Sequence, residues 1–428
     1  MSFNIITLGC KVNSYESSVM KDILIDHGYT ISDDDKADIV IINTCSVTNT
    51  ADSKSLKLIR RAVKHNPDSI IVVTGCLSQN KTQDVCNIEG VSIVLGNINK
   101  TKIIDYIKEY KNTGKQIVDV KNILDKNIKF ENMKLNNFDH TRAFVKIQEG
   151  CNNFCTYCII PYTRGGVRSK DRESVLIEVC DLVKEGHKEI VLTGIHTGHY
   201  GSEFKDYKFE NLLEDLITID GLERIRISSI EMNEITDNII NLMKNNKVLV
   251  DHMHIPLQSG SDYILKKMNR KYDKSEFIKK IEDIRKVRPN ISITTDVIVG
   301  FPGETDELFN ETIETIKKIK FSKLHVFPYS VRNGTPAAKF DNQISNEIKK
   351  ERVHKLLEIS KELELEYMNK FISKEVDVLV ETIKDGILKG HTGNYLCVKF
   401  KGDKSLINKV VRVRIDEIDY PYCRGVII

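Results

Sequence analysis

Three cysteines close together in the sequence, Cys151, Cys155 and Cys158, suggest metal-binding chemistry, and we call them the loop trio. They stand in the segment EGCNNFCTYCIIPYTRGG with the spacing CxxxCxxC. A structural zinc site usually takes four protein ligands and favours CxxC pairs, but this loop contains no fourth cysteine or histidine. Three thiolates instead suit an iron–sulfur cluster that leaves one iron open for a ligand. The spacing therefore favours a cluster, with structural zinc as the alternative.

A second set of cysteines, which we call the sheet trio, is spread along the first part of the chain. Cys10 ends NIITLGC, Cys45 ends DIVIINTC and Cys76 ends SIIVVTGC, so each directly follows a predicted strand. Because the carboxyl ends of parallel strands line one edge of an open sheet, these thiols should converge there. Unrelated buried thiols would not all fall at strand ends, so we predict a second three-thiolate metal site. The cysteines without this placement are Cys86, Cys180, Cys397 and Cys423.

Length and composition narrow the class of protein. A chain of 428 residues is too long for one ordinary core and predicts two or three domains. The content of 29% charged and 40% hydrophobic residues is typical of soluble proteins, and no apolar stretch approaches the roughly 20 residues of a membrane span. The segment MSFNIITLGC does not resemble a signal peptide, so we expect a cytoplasmic protein without membrane partners. In the cytoplasm, clustered cysteines more often bind metal than form disulfides. With a net charge of only +3, nucleic-acid contacts would require local basic patches.

Alternating strands and helices make up residues 1–112, the first predicted domain. The strands NIITLG, ADIVIINT, SIIVVTG and VSIVLGN are apolar runs, and helices are predicted at 14–27 and 51–64. Such runs are typical of a parallel sheet that helices cover on both faces. We therefore predict an α/β domain with a flavodoxin-like parallel sheet. Residues 113–136 are polar and weakly patterned and should form a linker.

The alternation resumes in residues 137–371, the second predicted domain. Its six candidate strands are AFVKIQEG, EIVLTGIHTG, RIRISSIE, HMHIPLQSG, ISITTDVIVGFPG and KLHVFPYS. Repeated βα units with ligand-type residues at strand ends indicate a partial (β/α) barrel, with the loop trio after its first strand on the face where such folds bind ligands. A long charged helix at 345–371 should close this domain. The short strands of residues 372–428 predict a small all-β barrel.

Several motifs resemble known families. The CxxxCxxC loop with TGIHTG, ISSIE, PLQSGSD and TDVIVGFPGET resembles the radical S-adenosylmethionine core. LGCKVNSYES, NTCSVTNTADSKS and VTGCLSQ resemble the N-terminal domain of the methylthiotransferases, and the tail resembles TRAM, an RNA-binding β-barrel. The motifs GCKVNSYES and LTGIHTGHYG resemble those of the branch that methylthiolates threonylcarbamoyladenosine beside the tRNA anticodon. Sister branches act on isopentenyladenosine in tRNA or on a ribosomal-protein aspartate.

The resemblance implies two 4Fe-4S clusters and S-adenosylmethionine as methyl donor and radical source. One cluster, on the loop trio, would offer its open iron to S-adenosylmethionine and yield a 5′-deoxyadenosyl radical. A radical suits this reaction because no general base ionises the 2-carbon C–H bond of adenine at neutral pH. The other, on the sheet trio, would hold the sulfur to be transferred. An electron donor, a sulfur source and a tRNA anticodon loop are the implied partners.

Strand ends supply the other candidate contacts with S-adenosylmethionine, together with an aromatic residue of the cysteine loop. Several also have ordinary structural explanations: the glycines suit tight βα turns, and a glutamate at a strand end is often a solvated cap. The candidates are Tyr157, Thr193, Gly194, Ser229, Glu231, Gln258, Ser259 and Gly300.

Basic segments suit an RNA partner, because phosphate contacts dominate nucleic-acid affinity. Each patch alone is more often a solvated face, so a non-catalytic, zinc-stabilised RNA-binding protein and a protein-modifying enzyme remain alternatives to the tRNA methylthiotransferase. The predicted RNA contacts are Arg164, Arg168, Lys399, Lys401, Arg412 and Arg414.

Overall fold

The computed structural model describes residues 1–32, 34, 36–136, 138 and 140–428. In the N-terminal part, six strands alternate with five helices along this described chain. The strands are β1 (Ser2–Thr7), β2 (Thr30–Ile31), β3 (Ile39–Thr44), β4 (Ile70–Gly75), β5 (Ile93–Leu95) and β6 (Ile117–Asp119). The helices are α1 (Lys11–Asp26), α2 (Asn49–His65), α3 (Cys76–Asn80), α4 (Thr82–Cys86) and α5 (Ile103–Thr113).

These strands form one parallel sheet in the order β2-β1-β3-β4-β5-β6. Every residue of β3 and β4 is buried, as expected for central strands that helices cover on both faces. The order agrees with the flavodoxin-like sheet predicted from the sequence. The sheet extends past residue 112, however, because β6 pairs with β5 inside the segment 113–136 that was expected to be a linker. Only three ladder pairs add this short strand, which explains why the sequence pattern did not reveal it.

The central part contains eight strands and seven helices among its described residues. The strands are β7 (Arg142–Lys146), β8 (Gln148–Glu149), β9 (Arg168–Ser169), β10 (Glu189–Thr193), β11 (Arg224–Ile227), β12 (His252–His254), β13 (Ser292–Val299) and β14 (Lys323–Pro328). The first six helices are α6 (Ile160–Arg164), α7 (Arg172–Lys184), α8 (Phe209–Leu216), α9 (Asp237–Asn245), α10 (Asp262–Lys267) and α11 (Lys274–Val287). They are followed by α12 (Asp306–Ile319).

The six predicted strands of this part are present and form two parallel three-stranded sheets, β7-β10-β11 and β12-β13-β14. A parallel bridge between Ile225 and Leu249 joins the two sheets, so the six strands form one open, partial barrel. One large hydrophobic core packs the helices against the outside of these strands. The sequence predicts that the linker ends and the second domain begins between residues 136 and 137, and residue 137 lies outside the described residues.

The long helix α13 (Asn346–Asn369) packs along β14 and β13 of the central part and leads into the C-terminal part. The strands that follow it are β15 (Glu375–Lys384), β16 (Ile387–Thr392), β17 (Cys397–Lys401), β18 (Val410–Asp419) and β19 (Tyr422–Ile427). They close into a barrel in the order β15-β16-β17-β19-β18 around a small separate core. The predicted α/β class and the all-β C-terminal barrel are confirmed.

Buried arginines attach the outer parts to the central barrel. Arg332, which follows β14, donates hydrogen bonds to Asp52 and Ser46 of the N-terminal part. Arg224 donates to the backbone carbonyls of His391 and Asp377 in the C-terminal barrel, at 3.0 and 2.8 Å. Within the described residues, no helix has the length and apolar character needed to cross a membrane.

Candidate metal and cofactor site

The loop that carries the loop trio follows β7 and β8 and is tied to the end of α10. The Thr156 N–H donates to the Met268 carbonyl at 3.1 Å, and the Thr156 carbonyl accepts from the Ala337 N–H at 2.9 Å. The Asn269 side chain donates to the Asn153 carbonyl at 3.2 Å. These bonds fix the loop at the carboxyl ends of the barrel strands, where the sequence placed it.

Polar groups surround the thiols of the loop trio. The Asn153 N–H and a ring nitrogen of His196 each lie 3.5 Å from Cys151 Sγ. Arg270 donates to Cys155 Sγ at 3.5 Å and forms an ion pair with Glu231. Burial raises the pKa of the Cys151 and Cys158 thiols to about 12, and the neighbouring Cys155 adds to the effect. These thiols become thiolates at neutral pH when they bind a metal, which is the usual linkage.

The sheet trio lies at one edge of the N-terminal sheet. Cys10 precedes α1, Cys45 follows β3 and Cys76 begins α3, so three neighbouring strands deliver the three thiols. Gly9, which joins β1 to Cys10, has a left-handed φ of +108°, and a Cβ there would lie 3.1 Å from Cys45 Sγ. Burial raises the pKa of Cys45 to about 11, to which Cys76 and Cys10 also contribute. The strand-end argument from the sequence therefore agrees with this geometry.

Arg164 lies beside the sheet trio and is fully buried, with 0% of its side chain exposed. Its Nε donates to Cys76 Sγ at 3.3 Å, and Nη1 donates to Glu16 and Glu149, each at 2.9 Å. The expectation that Arg164 contacts RNA is therefore wrong for this structure, because protein groups use its donors and RNA phosphates have no access. Arg164 instead links the cysteine loop of the barrel to the sheet trio.

Two buried lysines complete this charged group. Lys100 forms an ion pair with Glu16, and Lys146 forms ion pairs with Glu16 at 2.7 Å and with Glu149. Although burial opposes the charged form, Arg164, Lys100 and Lys146 hold the pKa of Glu16 well below its usual range. The five side chains carry three positive and two negative charges, which leaves one positive charge beside the sheet trio. A metal cluster held by thiolates is the kind of anionic group that would balance it.

The spacing of the donor atoms tests whether each cysteine trio could hold a single zinc ion. Four ligands about 2.3 Å from one zinc place their sulfur atoms roughly 3.8 Å apart. Among the described residues, neither cysteine trio brings its three sulfur atoms within 4.8 Å of one another. The group that does so with three potential donor atoms is His196, His199 and Glu234. Neither trio therefore has the spacing of a single zinc site, and three thiolates that are spaced more widely are the donor set that a polynuclear cluster uses.

A cavity of about 210 Å³, the upper cavity, lies next to the loop trio. It is lined by Tyr157 and Cys158 of the loop, Gln258 and Asp296 of the barrel, and Val47 of the N-terminal part. Two of the predicted cofactor contacts, Tyr157 and Gln258, thus share one cavity with a cysteine of the loop trio. The cavity also places the N-terminal part directly opposite that cysteine.

Three other predicted contacts lie at strand ends near the loop. Thr193 ends β10 and is buried, and Gly194 packs against Gln148. Glu231 lines a smaller cavity of about 200 Å³ together with Cys155. The ion pair with Arg270 orients the Glu231 carboxylate next to the loop trio, so it is not a solvated cap.

The remaining predicted contacts are placed less favourably. Ser259 is fully buried, and its hydroxyl lies 3.3 Å from that of Thr312 on α12, so the structure places it toward that helix and its contact with the cofactor stays a prediction. Gly300 has a φ of +70°, and a Cβ there would clash at 2.3 Å with Lys349 of α13, so its glycine is required by packing. Ser229 is half-buried after β11 and lines none of the cavities described above.

The predicted RNA contacts outside the cysteine loop differ in how many contacts their cationic groups already make within the protein. Lys401 is exposed, whereas Arg412 pairs with Asp377 at 2.9 Å and Arg414 pairs with Asp416 at 2.9 Å. The Lys399 ammonium lies 3.4 Å from the centroid of the Tyr422 ring, a cation–π contact. Arg168 is half-buried and donates to the backbone carbonyls of Gly166 and Arg164.

Sequence reasoning missed a second cavity, the lower cavity, of about 370 Å³ in the interior of the barrel. Polar residues two apart on three strands carried a signal for it, His252 and His254 on β12, Ser292 and Thr294 on β13, and Lys323 and His325 on β14, since such residues share a face. Its lining combines all three parts of the chain. The lining residues relevant below are Lys11, Arg226, His252, His254, Lys323 and Tyr395.

Comparisons with known proteins agree with this architecture. Residues 145–316 match the Radical SAM superfamily, and residues 2–96 match the Uncharacterized protein family UPF0004. Among solved structures, the radical S-adenosylmethionine methyltransferase TsrM from Kitasatospora setae, with cobalamin and a 4Fe-4S cluster bound, is similar in fold. Its TM-score is 0.59 at 13% identity, over 78% of this chain and 76% of that chain. The fold and the cysteine loop thus define a radical S-adenosylmethionine enzyme.

Two curated relatives cover nearly the whole chain. The threonylcarbamoyladenosine tRNA methylthiotransferase MtaB of Bacillus subtilis (strain 168) is 46% identical over 98% of this chain and 94% of its own length. The tRNA-2-methylthio-N(6)-dimethylallyladenosine synthase of Clostridium botulinum (strain Loch Maree / Type A3) is 38% identical over 96% of this chain and 94% of its own length. The chain belongs to the radical S-adenosylmethionine methylthiotransferase family.

Proposed function

We propose that this protein adds a methylthio group to the 2-carbon of N6-threonylcarbamoyladenosine beside the anticodon of tRNA. The observation that carries the proposal is the presence of two cysteine trios that Arg164 links, because this residue of the segment after the loop trio donates to Cys76 Sγ of the sheet trio at 3.3 Å. The 46% identity to a relative named for this substrate, against 38% for one named for dimethylallyladenosine, favours the threonylcarbamoyl branch. A tRNA substrate also implies a cytoplasmic location.

We assign a 4Fe-4S cluster to each trio. When bound, the cluster on the loop trio supplies the electron that converts S-adenosylmethionine to a 5′-deoxyadenosyl radical, and the cluster on the sheet trio supplies the sulfur. The chain itself positions these groups. Tyr157 and Gln258 border the space for S-adenosylmethionine, and Arg270 and Glu231 fix the surroundings of Cys155.

The remaining protein groups hold the RNA and exclude water from the reaction. Half-buried and exposed cations on the C-terminal barrel, Lys399 and Lys401, provide phosphate contacts. The unstacked bases of an anticodon loop are the usual target of proteins that read RNA sequence. Enclosure of the target base inside the barrel keeps a reactive radical away from solvent. An electron donor and a sulfur source complete the reaction as external partners.

Nucleoside analysis tests the proposal directly. Cells that lack this protein should lose 2-methylthio-N6-threonylcarbamoyladenosine from their tRNA and keep the unmethylthiolated nucleoside. The wild-type gene should restore it, as should Cys180→Ala, which removes a half-buried cysteine on α7 outside both trios. Cys155→Ala should not restore it and should abolish 5′-deoxyadenosine formation by the purified protein under a strong reductant.

Three results would contradict the proposal. Loss of 2-methylthio-isopentenyladenosine instead would assign the protein to the sister branch, and an unchanged nucleoside pool with a modified ribosomal aspartate would assign it to the protein-modifying branch. A colourless, anaerobically purified protein that contains zinc and no iron would favour the non-catalytic RNA-binding alternative.

A further inference from the structure

The lower cavity has an unusual charge balance for the interior of a barrel. Its cations include Arg226 and Lys323, and each already has a carboxylate partner. Arg226 pairs with Glu189 at 2.6 Å, and Lys323 pairs with Glu364 at 3.0 Å. Lys11 also lines the cavity, and among the described residues it forms no ion pair with a carboxylate. The cavity therefore presents one ammonium group without a counter-charge.

Neighbouring groups respond to this positive potential. Tyr395 lies between the rings of His252 and His391, with centroid distances of 4.8 and 5.0 Å, and faces the Arg226 guanidinium at 4.7 Å. Although burial opposes ionisation, Arg142 and Lys11 lower the pKa of the Tyr395 phenol below its usual value. A site that favours the anionic form of a phenol also favours a bound carboxylate.

The lower cavity lies next to the upper cavity along β13. Ser292 and Thr294 of β13 line the lower cavity, and Asp296 and Ile298 of the same strand line the upper cavity beside Cys158. Residues two apart on a strand share a face, so the two cavities are about 7 Å apart along β13. His254 spans the step, with its Nε2 3.3 Å from Asp296 Oδ1.

Residues from the N-terminal part and the C-terminal barrel help to line the lower cavity. Lys11 directly follows Cys10 of the sheet trio, and Tyr395 and Pro421 come from the C-terminal barrel. A ligand that contacts Lys11 would therefore lie near the sheet trio. The volume of about 370 Å³ lies in the range of pockets that enclose small ligands.

We propose that the lower cavity is the recognition site for the threonylcarbamoyl side chain, with Lys11 as the residue that binds its carboxylate. This inference rests on the proposed function and adds the basis of its substrate choice. Thr294 and His254, which hydrogen-bond each other at 2.9 Å, line the same cavity and add polar groups near the hydroxyl and urea groups of that side chain. An apolar dimethylallyl group would leave the Lys11 ammonium without a partner, which costs free energy.

Binding of defined RNA probes to the reconstituted full-length protein tests the assignment. Three anticodon stem–loops that differ only at the target adenosine would be compared by fluorescence anisotropy without oxygen: threonylcarbamoyladenosine, its neutral carboxamide, and unmodified adenosine. The wild-type protein should bind the acid about tenfold more tightly than the carboxamide, as expected for one charge-assisted contact.

Variants locate the effect. Lys11→Met should abolish the preference, so that the affinities for the acid and the carboxamide become about equal. Lys11→Arg should keep most of the preference. Lys108→Met removes an exposed lysine on α5 of the same domain and should keep the full preference. Equal binding of acid and carboxamide by the wild-type protein, or a full preference in Lys11→Met, would overturn the proposal.

Turnover of the same probes separates this proposal from the proposed function. If the wild-type protein methylthiolates the acid and the carboxamide with equal efficiency, the assignment of the carboxylate site is wrong and the methylthiotransferase assignment stands. If it methylthiolates neither but accepts an isopentenyladenosine stem–loop, the proposed substrate itself is wrong and both proposals fall.

Discussion

At the scale of single residues, Arg164 has a role that its sequence context conceals. The segment TRGGVRSKDR reads as a basic surface patch, but Arg164 occupies a pocket formed by Glu16, Glu149 and Cys76. Its partners lie 15 to 148 positions away in the sequence, so only the folded chain brings them together. A buried guanidinium with several fixed partners holds two domains in register at the sheet trio.

Glu16 is the centre of this network, and its removal should be costly. Glu16→Gln leaves Lys100, Lys146 and Arg164 with a single carboxylate, and breaking a buried ion pair typically costs about 3–5 kcal/mol. We expect a loss of this size in the free energy of unfolding of the N-terminal part, measured by urea unfolding with circular dichroism. Glu109→Gln, an exposed change on α5, should have almost no effect.

The same variant has a predictable pH dependence. Because the folded protein holds the pKa of Glu16 well below the unfolded value of about 4.3, ionised Glu16 contributes its stability at all pH values above that unfolded value. This contribution is lost as the pH falls toward the folded pKa. The difference in stability between wild type and Glu16→Gln should be largest near neutral pH and shrink below about pH 4. A difference that grows as the pH falls would contradict the assigned pairing.

At the scale of elements, apolar periodicity predicted most of the architecture. The six strands of the partial barrel and strands β1, β3, β4 and β5 of the N-terminal sheet are where the apolar runs of the sequence lie. The edge strand β6 was missed because, unlike the equally short but fully buried β5, it has only half-buried or exposed side chains. Strand ends also located both cysteine trios, since a parallel sheet brings its carboxyl ends to one edge.

The interior of the barrel could not be predicted in the same way. Which face of β12 or β13 points inward depends on the curvature of the whole sheet, and Lys11 and Tyr395 enter the lower cavity from other domains. Ser259 shows the same limit, because its hydroxyl turns toward α12 although it directly follows Gln258, which lines the upper cavity.

The C-terminal barrel offers a graded test of RNA binding. Lys401 is exposed and, in the described structure, has no ion-pair partner, whereas Arg412 is paired with Glu375 and Asp377. Lys401→Gln should weaken tRNA binding and reduce the slope of log affinity against log salt by about one. Arg412→Gln should change that slope less, because its charge is already partly balanced by two acids.

Filter-binding titrations with tRNA across a salt series would measure both slopes. If Arg412→Gln changes the slope as much as Lys401→Gln, RNA displaces the acidic partners of Arg412. An unchanged slope in both variants would show that this face of the barrel does not contact phosphates.

At the scale of the whole molecule, buried arginines join the three parts of the chain. Arg332 and Arg164 join the N-terminal part to the barrel, and Arg224 joins the C-terminal barrel to it. Arg164 also connects the segment after the loop trio to the sheet trio, because its Nε donates to Cys76 Sγ at 3.3 Å. On the proposed function, this arrangement would separate radical formation from sulfur storage while keeping both near one substrate.

The central claim is that the two trios hold two clusters with different tasks. The most direct measurement combines iron content, 5′-deoxyadenosine formation and tRNA methylthiolation for the triple variant Cys10→Ala, Cys45→Ala, Cys76→Ala. A variant with Cys86 and Cys180 changed to Ala serves as the control, because these cysteines lie outside both trios and line neither the upper nor the lower cavity.

The first triple variant should retain about half of the wild-type iron, since the ligands of the loop trio are intact. It should still form 5′-deoxyadenosine from S-adenosylmethionine and should add no methylthio group to tRNA, while the control variant should do both. Full iron content together with full methylthiolation in the Cys10, Cys45, Cys76 variant would contradict the assignment of a second cluster to the sheet trio.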